Sequence, residues 1–136
     1  MQLVTNLKNV NQILERVGYP MDGASNILMR LDPQDTCFAM VDLCQGFYQI
    51  PLARESKDLF SIVLLAGKFR YTCMPQGCSA SSDFFKIFTD PEICNKVGYY
   101  KNVDDILTTT KDIGELEAKM KTLLKVGRAC NLKLAL

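Results

Sequence analysis

Lys101-Asn102-Val103-Asp104-Asp105-Ile106-Leu107 sets two adjacent carboxylates between two short runs rich in β-branched and aromatic residues, Gly98 to Val103 and Ile106 to Thr110. The pattern predicts a hairpin with the acids at or near its turn. Paired acids on rigid strands have two explanations. One is a solvated turn, where Asp is favoured by local hydrogen bonding. The other is a hard-cation site of the Mg²⁺ type, which takes oxygen ligands. The rest of the chain has to choose between them.

Upstream, Cys37-Phe38-Ala39-Met40-Val41 is a nearly continuous apolar run ending in Asp42, which predicts a strand buried on both faces that delivers one acid at its end. A buried charge is expensive, so such an Asp belongs at the sheet rim, on nearby amides or on a cation. Leu43 to Phe47 reads as a compact turn and Tyr48 to Leu52 as a strand, with Pro51 marking an edge or end. Asp58 to Leu65 and Lys68 to Met74 read as a hairpin joined by Ala66-Gly67. The loop Met74-Pro75-Gln76-Gly77 then opens a helix at about 79–90, with an apolar face of Phe84, Phe85, Ile87 and Phe88, serines as caps and Pro91 as the exit.

Downstream, about 112–130 is the clearest amphipathic helix, with Ile113, Leu116, Met120, Leu123, Leu124 and Gly127 on one side, acids early, bases late and Asn131 as its cap. Leu132 to Leu136 reads as a closing strand. At the other end, a strand end and an irregular or weakly helical stretch lead to Tyr19-Pro20. A short helix from Met21 to Leu31 follows, capped by Asp22 or Ser25, with Ile27, Leu28 and Leu31 on one face.

Composition narrows the chemistry. The 136 residues, 48% hydrophobic and 23% charged, suit one compact domain. There is no histidine, which removes Ser-His-Asp and Cys-His catalysis, and the six cysteines form no C-x-x-C pair, so buried free thiols are expected rather than zinc or a disulfide framework. A net charge of +1 gives no overall field toward nucleic acid. No apolar run approaches the roughly 20 residues of a membrane span and the start lacks a signal pattern, so no membrane partner and an intracellular location, cytoplasmic or nuclear, are expected.

With these elements in this order the chain resembles the reverse transcriptase family, most closely the polymerase domain of gypsy-like long-terminal-repeat retrotransposons and retroviruses. Phe38 to Leu43 with Gly46 to Ile50, then Phe69-Arg70-Tyr71 with Met74 to Gly77, then Val103 to Leu107 carry the resemblance, and four motifs in order are far more specific than any one. It implies an α+β fold, a palm-type antiparallel sheet backed by two helices with partial fingers. The whole chain is then one domain, with fingers at about 1–35 and 48–78 and palm at about 36–47 and 79–136.

The resemblance also implies template-directed DNA synthesis from deoxynucleoside triphosphates on an RNA or DNA template-primer. Asp42, Asp104 and Asp105 would be the catalytic acids and ligands of two Mg²⁺ ions, with Mn²⁺ as a substitute. Phe47 would crowd the sugar 2′ position, and Gln76 and Gly77 would contact the incoming nucleotide. Arg70 and Lys68 could touch phosphates, although solvated hairpin charges account for them better. Asn102 stands where the family usually has an aromatic residue, Asn6 where an acid is common and Gln2 near an expected arginine. The family's basic fingers hairpin would precede Met1, and its thumb and ribonuclease H regions would follow Leu136. The expectation is therefore an intact metal site on a palm-and-fingers piece, weak or inactive by itself. The alternative is a domesticated or relic fragment that binds a protein partner through the surface its fingers and thumb would have covered.

Overall fold

A computed structural model describes residues 5–20, 23–97 and 99–135. The expected strand end before Thr5, and Gln2, Asp22, Gly98 and Leu136, lie outside those residues. Two compact units share the chain, one of residues 1–18 and 45–85, the other of 19–44 and 86–136.

The first unit starts with helix α1 (Lys8–Ile13). Leu7, Phe60, Cys78 and Ala80 form its core, with Val10, Leu14, Leu52 and Tyr71 packed around them. The expected strand at Tyr48 to Leu52 is instead a 3-10 turn, Gly46–Gln49, followed by a single bridge from Pro51 to Cys73. The cause is local: Gln45 sits at φ 50° and starts the turn, and Gly46 lies so close to Phe85 that an added Cβ would be 2.7 Å from its ring. A second 3-10 segment, Arg54–Phe60, occupies the start of the next expected strand. Strands β2 (Ser61–Leu64) and β3 (Gly67–Arg70) do form a hairpin, but Leu64 pairs with Gly67, so the loop is Leu65-Ala66, one residue earlier than the sequence suggests.

The second unit holds an antiparallel sheet in the order β4-β5-β1-β6. Its strands are β1 (Cys37–Leu43), β4 (Tyr100–Asn102), β5 (Asp105–Thr110) and β6 (Leu134–Ala135). β1 is not buried on both faces. Val41 and Leu43 point into the core, whereas Phe38 and Met40 are 56% and 71% exposed on the face that carries Asp42. The alternation shows a sheet with one side open to solvent. Helix α4 (Ile113–Ala129) packs on β1 and β5 and buries Leu123 and Gly127, while Ile113 and Leu124 stay exposed. Asp112 caps it, accepting from the Glu115 N–H at 3.0 Å. At the other end the Leu132 N–H reaches the Gly127 carbonyl and the Asn131 N–H the Arg128 carbonyl, with Asn131 at φ 55°. That is a Schellman ending, which turns the chain back into β6.

Helix α2 is Ala24–Arg30, shorter than expected. Ser25 lies inside it rather than capping it, and only Ile27 is buried, with Leu28 exposed and Leu31 half-buried. Helix α3 (Ser81–Val97) is longer than expected and runs through Pro91. Its supposed apolar face is inverted, because Phe85 is buried but Phe84, Ile87 and Phe88 are exposed, while Asp83, Lys86 and Thr89 are buried. Among the described cysteines only Cys78 is buried; Cys44 is exposed, and none of the five is in a disulfide. No described helix is long and apolar enough to cross a membrane.

Candidate active site

The three acids singled out in the sequence come together in the second unit. Asp42 is the penultimate residue of β1 and faces Asp105, the first residue of β5. The Leu43 N–H donates to the Asp104 carbonyl at 2.9 Å, so Leu43 and Asp104 are a hydrogen-bonded pair and Asp42 and Asp105 are not. In antiparallel sheets the latter kind of pair brings the Cα atoms to about 4.5 Å with both side chains on one face. Asp42 and Asp105 therefore stand side by side on the open face of the sheet. Both are exposed.

Asp104 occupies the turn. Asn102 pairs with Asp105, leaving Val103-Asp104 as a two-residue loop. Val103 lies at φ 55°, a left-handed conformation that a β-branched side chain adopts only at a cost and only where the surroundings impose it. Partial burial pushes the Asp104 carboxyl above its ordinary value, and the charges of Asp42 and Asp105 push the same way, while a backbone hydrogen bond and the charge of Lys101 oppose them. Three carboxylates thus share one end of the sheet, and two of them repel the third.

By chemical type the donor set suits a hard divalent cation. It is all oxygen, and a dication would offset the repulsion felt by Asp104. Among the described residues no three acidic or thiol side chains are grouped closely enough to hold a metal ion as they stand. An open set of this kind matches how Mg²⁺ is usually held, by one or two carboxylates with water and substrate phosphates completing the shell.

The residues expected to contact nucleotide lie in the first unit. Phe47 is half-buried and meets Phe85 edge to face, with centroids 5.6 Å apart and planes at 80°. Gly77 has φ 86°, which favours glycine. The loop is held by Asn11, whose Nδ2 donates to the Gly77 carbonyl at 2.9 Å and whose Oδ1 accepts from the Ser79 N–H at 2.9 Å. Gln76 is half-buried. Arg70 donates to Asp58 at 3.0 Å in solvent, which favours the plain hairpin-charge reading.

Sequence reasoning missed two features. Val103 stood inside an expected strand, although a two-residue loop between Asn102 and Asp105 would have exposed it. Lys101 is buried and ion-paired to Asp90 at 2.9 Å, a partner no local pattern names. A separate cavity of about 300 Å³ is lined by Asp32, Asp35, Tyr100, Thr109, Lys111 and Lys119. Its polar groups engage one another: Thr109 donates to Asp35, Lys119 donates to the Thr109 carbonyl, and Lys111 lies 3.5 Å from Asp32.

The four-stranded antiparallel sheet gathers three acids at one end of its two central strands, with α4 packed on β1 and β5. The family model for reverse transcriptase (RNA-dependent DNA polymerase) matches residues 1–136, and the chain belongs to that family. It is 25% identical over 136 residues to the Retrovirus-related Pol polyprotein from transposon gypsy of Drosophila melanogaster, covering 98% of this chain and 13% of the polyprotein. It is 24% identical over 122 residues to the Gag-Pol polyprotein of Walleye dermal sarcoma virus, covering 82% of this chain and 7% of that protein. Among solved structures, the foamy viral protease-reverse transcriptase in complex with RNA/DNA hybrid superposes with a TM-score of 0.86 at 21% identity, over 97% of this chain and 18% of that one. The chain therefore spans about an eighth or less of these polyproteins, and its mixed helix and antiparallel-sheet fold is the reverse transcriptase fold.

Proposed function

We infer that this chain is the palm and part of the fingers of a reverse transcriptase, serving template-directed synthesis of DNA from deoxynucleoside triphosphates. The observation that carries the reading is the register that sets Asp42 opposite Asp105 with Asp104 in the adjoining turn, in a chain that belongs to this family. Asp42, Asp104 and Asp105 are the catalytic acids. Two divalent cations, Mg²⁺ or in its place Mn²⁺, would supply activation of the 3′-hydroxyl and neutralisation of the triphosphate.

The residues of the chain do the rest. Rigid strand ends fix the spacing of Asp42 and Asp105, so little reorganisation is needed as the site fills. The turn presents Asp104 as the third oxygen donor. Phe47, stiffened by its contact with Phe85, is proposed to crowd the sugar 2′ position, and the Gln76-Gly77 loop to meet the nucleotide. An RNA or DNA template-primer is the proposed partner, supported by the RNA/DNA hybrid bound to the foamy viral relative.

Thermal unfolding with Mn²⁺ tests the metal site. The wild type should be stabilised and Asp42→Asn should lose most of that gain. Primer extension on a poly-rA template tests the chemistry: any product made by the wild type should be lost in Asp104→Asn. A wild type that ignores both cations, or a response that survives Asp42→Asn, would count against the catalytic reading and for a binding module.

A further inference from the structure

Three consecutive residues leading into the Val103-Asp104 turn each reach a different helix. The Tyr99 hydroxyl donates to the Lys119 carbonyl of α4. The Tyr100 hydroxyl donates to the Arg30 carbonyl at the end of α2 at 2.9 Å, and the Arg30 guanidinium lies 5.6 Å from the same ring. Lys101 Nζ lies 2.9 Å from Asp90 Oδ1 of α3, with the lysine side chain only 1% exposed and the aspartate 18%.

These tethers serve a strand that needs them. β4 has three residues and is an edge of the sheet, paired only with β5. A ladder of that length is marginal by itself. Yet the turn it feeds holds Val103 at positive φ, a state that persists only where its surroundings over-determine it. Of the three tethers, the two tyrosine hydroxyls donate to backbone carbonyls, and a displaced hydroxyl finds water readily. Lys101 has no such freedom, since an ammonium this deeply buried cannot leave its carboxylate without a large desolvation penalty. It is the stiffest of the three.

We propose that the Lys101–Asp90 ion pair is a positioning device that clamps β4 to α3 and so holds the strained Val103-Asp104 turn, with Asp104 and Asp105, in register with Asp42. Its value for catalysis rests on the metal-site reading above. The positioning itself does not, and it can be measured without metal. The rival account is a pair kept only for stability, and there the prediction differs. Replacing both partners of a buried pair by apolar groups is often neutral for global stability, so a merely stabilising pair should be replaceable without local consequence.

Hydrogen exchange read by mass spectrometry on the full chain in chelator separates the two accounts. In both Asp90→Asn and the double variant Lys101→Met with Asp90→Leu, protection of the hairpin and of the Leu43 amide, which bonds the Asp104 carbonyl, should fall about tenfold or more relative to α4 amides. In the double variant this loss should accompany a melting temperature near that of the wild type. Hairpin protection that only follows α4 in both variants would overturn the proposal. Should the double variant not fold, the isosteric Asp90→Asn decides by the same comparison. A parallel Mn²⁺ titration keeps the readings apart, because a wild type that ignores Mn²⁺ defeats the metal site while the exchange result stands.

Discussion

In chelator at pH 8, replacing Asp104 by Asn should make the protein more stable. Asp104 lies in the turn beside Asp105, and its partial burial raises its pKa most, with the charges of Asp42 and Asp105 acting in the same direction. Like charges on facing strands each cost a few tenths of a kcal/mol, up to about 1 kcal/mol. Asp104 has two such neighbours but is half-exposed, so solvent screening reduces the sum. A gain of about 1 kcal/mol is the expectation, which for a chain of this length raises the melting temperature by about 3 to 5 °C.

The pH dependence of that gain has a definite sign. The folded-state pKa of Asp104 is raised above 3.8, so its penalty is fully present above the raised value and absent below the unfolded one. The advantage of Asn should therefore shrink as pH falls from 8 toward 4. Divalent cation should reverse the ranking. Ligand at a hundredfold excess over its Kd stabilises by about 2.7 kcal/mol, and a neutral amide is a poorer ligand for a dication than a carboxylate. Calorimetry of both proteins across this pH range, with and without Mg²⁺, measures all three effects. Destabilisation by Asp104→Asn in chelator at pH 8, or a gain that does not diminish on acidification, would refute the electrostatic argument.

Three further substitutions probe the scaffold. Gly46→Ala puts a methyl group 2.7 Å from the Phe85 ring and should cost about 1 to 3 kcal/mol in urea unfolding, since Phe85 is fully buried and cannot swing away. Asp112→Ala removes the acceptor for the Glu115 N–H and should cost about 1 kcal/mol, with the loss visible as fraying of the first turn of α4 in hydrogen exchange. Val103→Asn relieves a β-branched residue at φ 55°; asparagine tolerates that region, so metal-free stability should rise by about 0.5 to 1 kcal/mol in thermal unfolding.

The placement of the three acids was legible because its signal is local. An apolar run ending in Asp42 and two acids between β-rich runs announce strand ends and a turn by residue type alone, and the register then sets Asp42 against Asp105. The sequence misjudged the burial of β1, because a run of five apolar residues reads as two-faced burial, whereas Phe38 and Met40 share the open face with Asp42. Tyr48 to Leu52 was misjudged for another reason. Its strand-like residues follow Gln45 at positive φ and a Gly46 pinned against Phe85, a residue almost forty positions later. Local propensity lost to a tertiary contact.

Helix α3 shows where such reading must fail. A hydropathy pattern assigns Phe84, Ile87 and Phe88 inward and the polar residues outward, yet Asp83, Lys86 and Thr89 are the buried ones. Polar burial is tolerable only with partners, and the partners are remote. Asp83 accepts from the Gly18 N–H at 3.2 Å and lies 3.6 Å from Arg16. Lys86 donates to the Pro20 carbonyl at 3.1 Å and lies 5.9 Å from the Tyr19 ring. Asp90 holds Lys101. The helix is thus held by polar and charged contacts with segments on both sides of it in the chain, each adding directional constraint that an apolar stripe would lack. A helix seated by such contacts resists rotation about its own axis, because turning it would strand at least one buried charge. That resistance explains why Phe84, Ile87 and Phe88 can stay exposed on α3 without the helix turning to bury them.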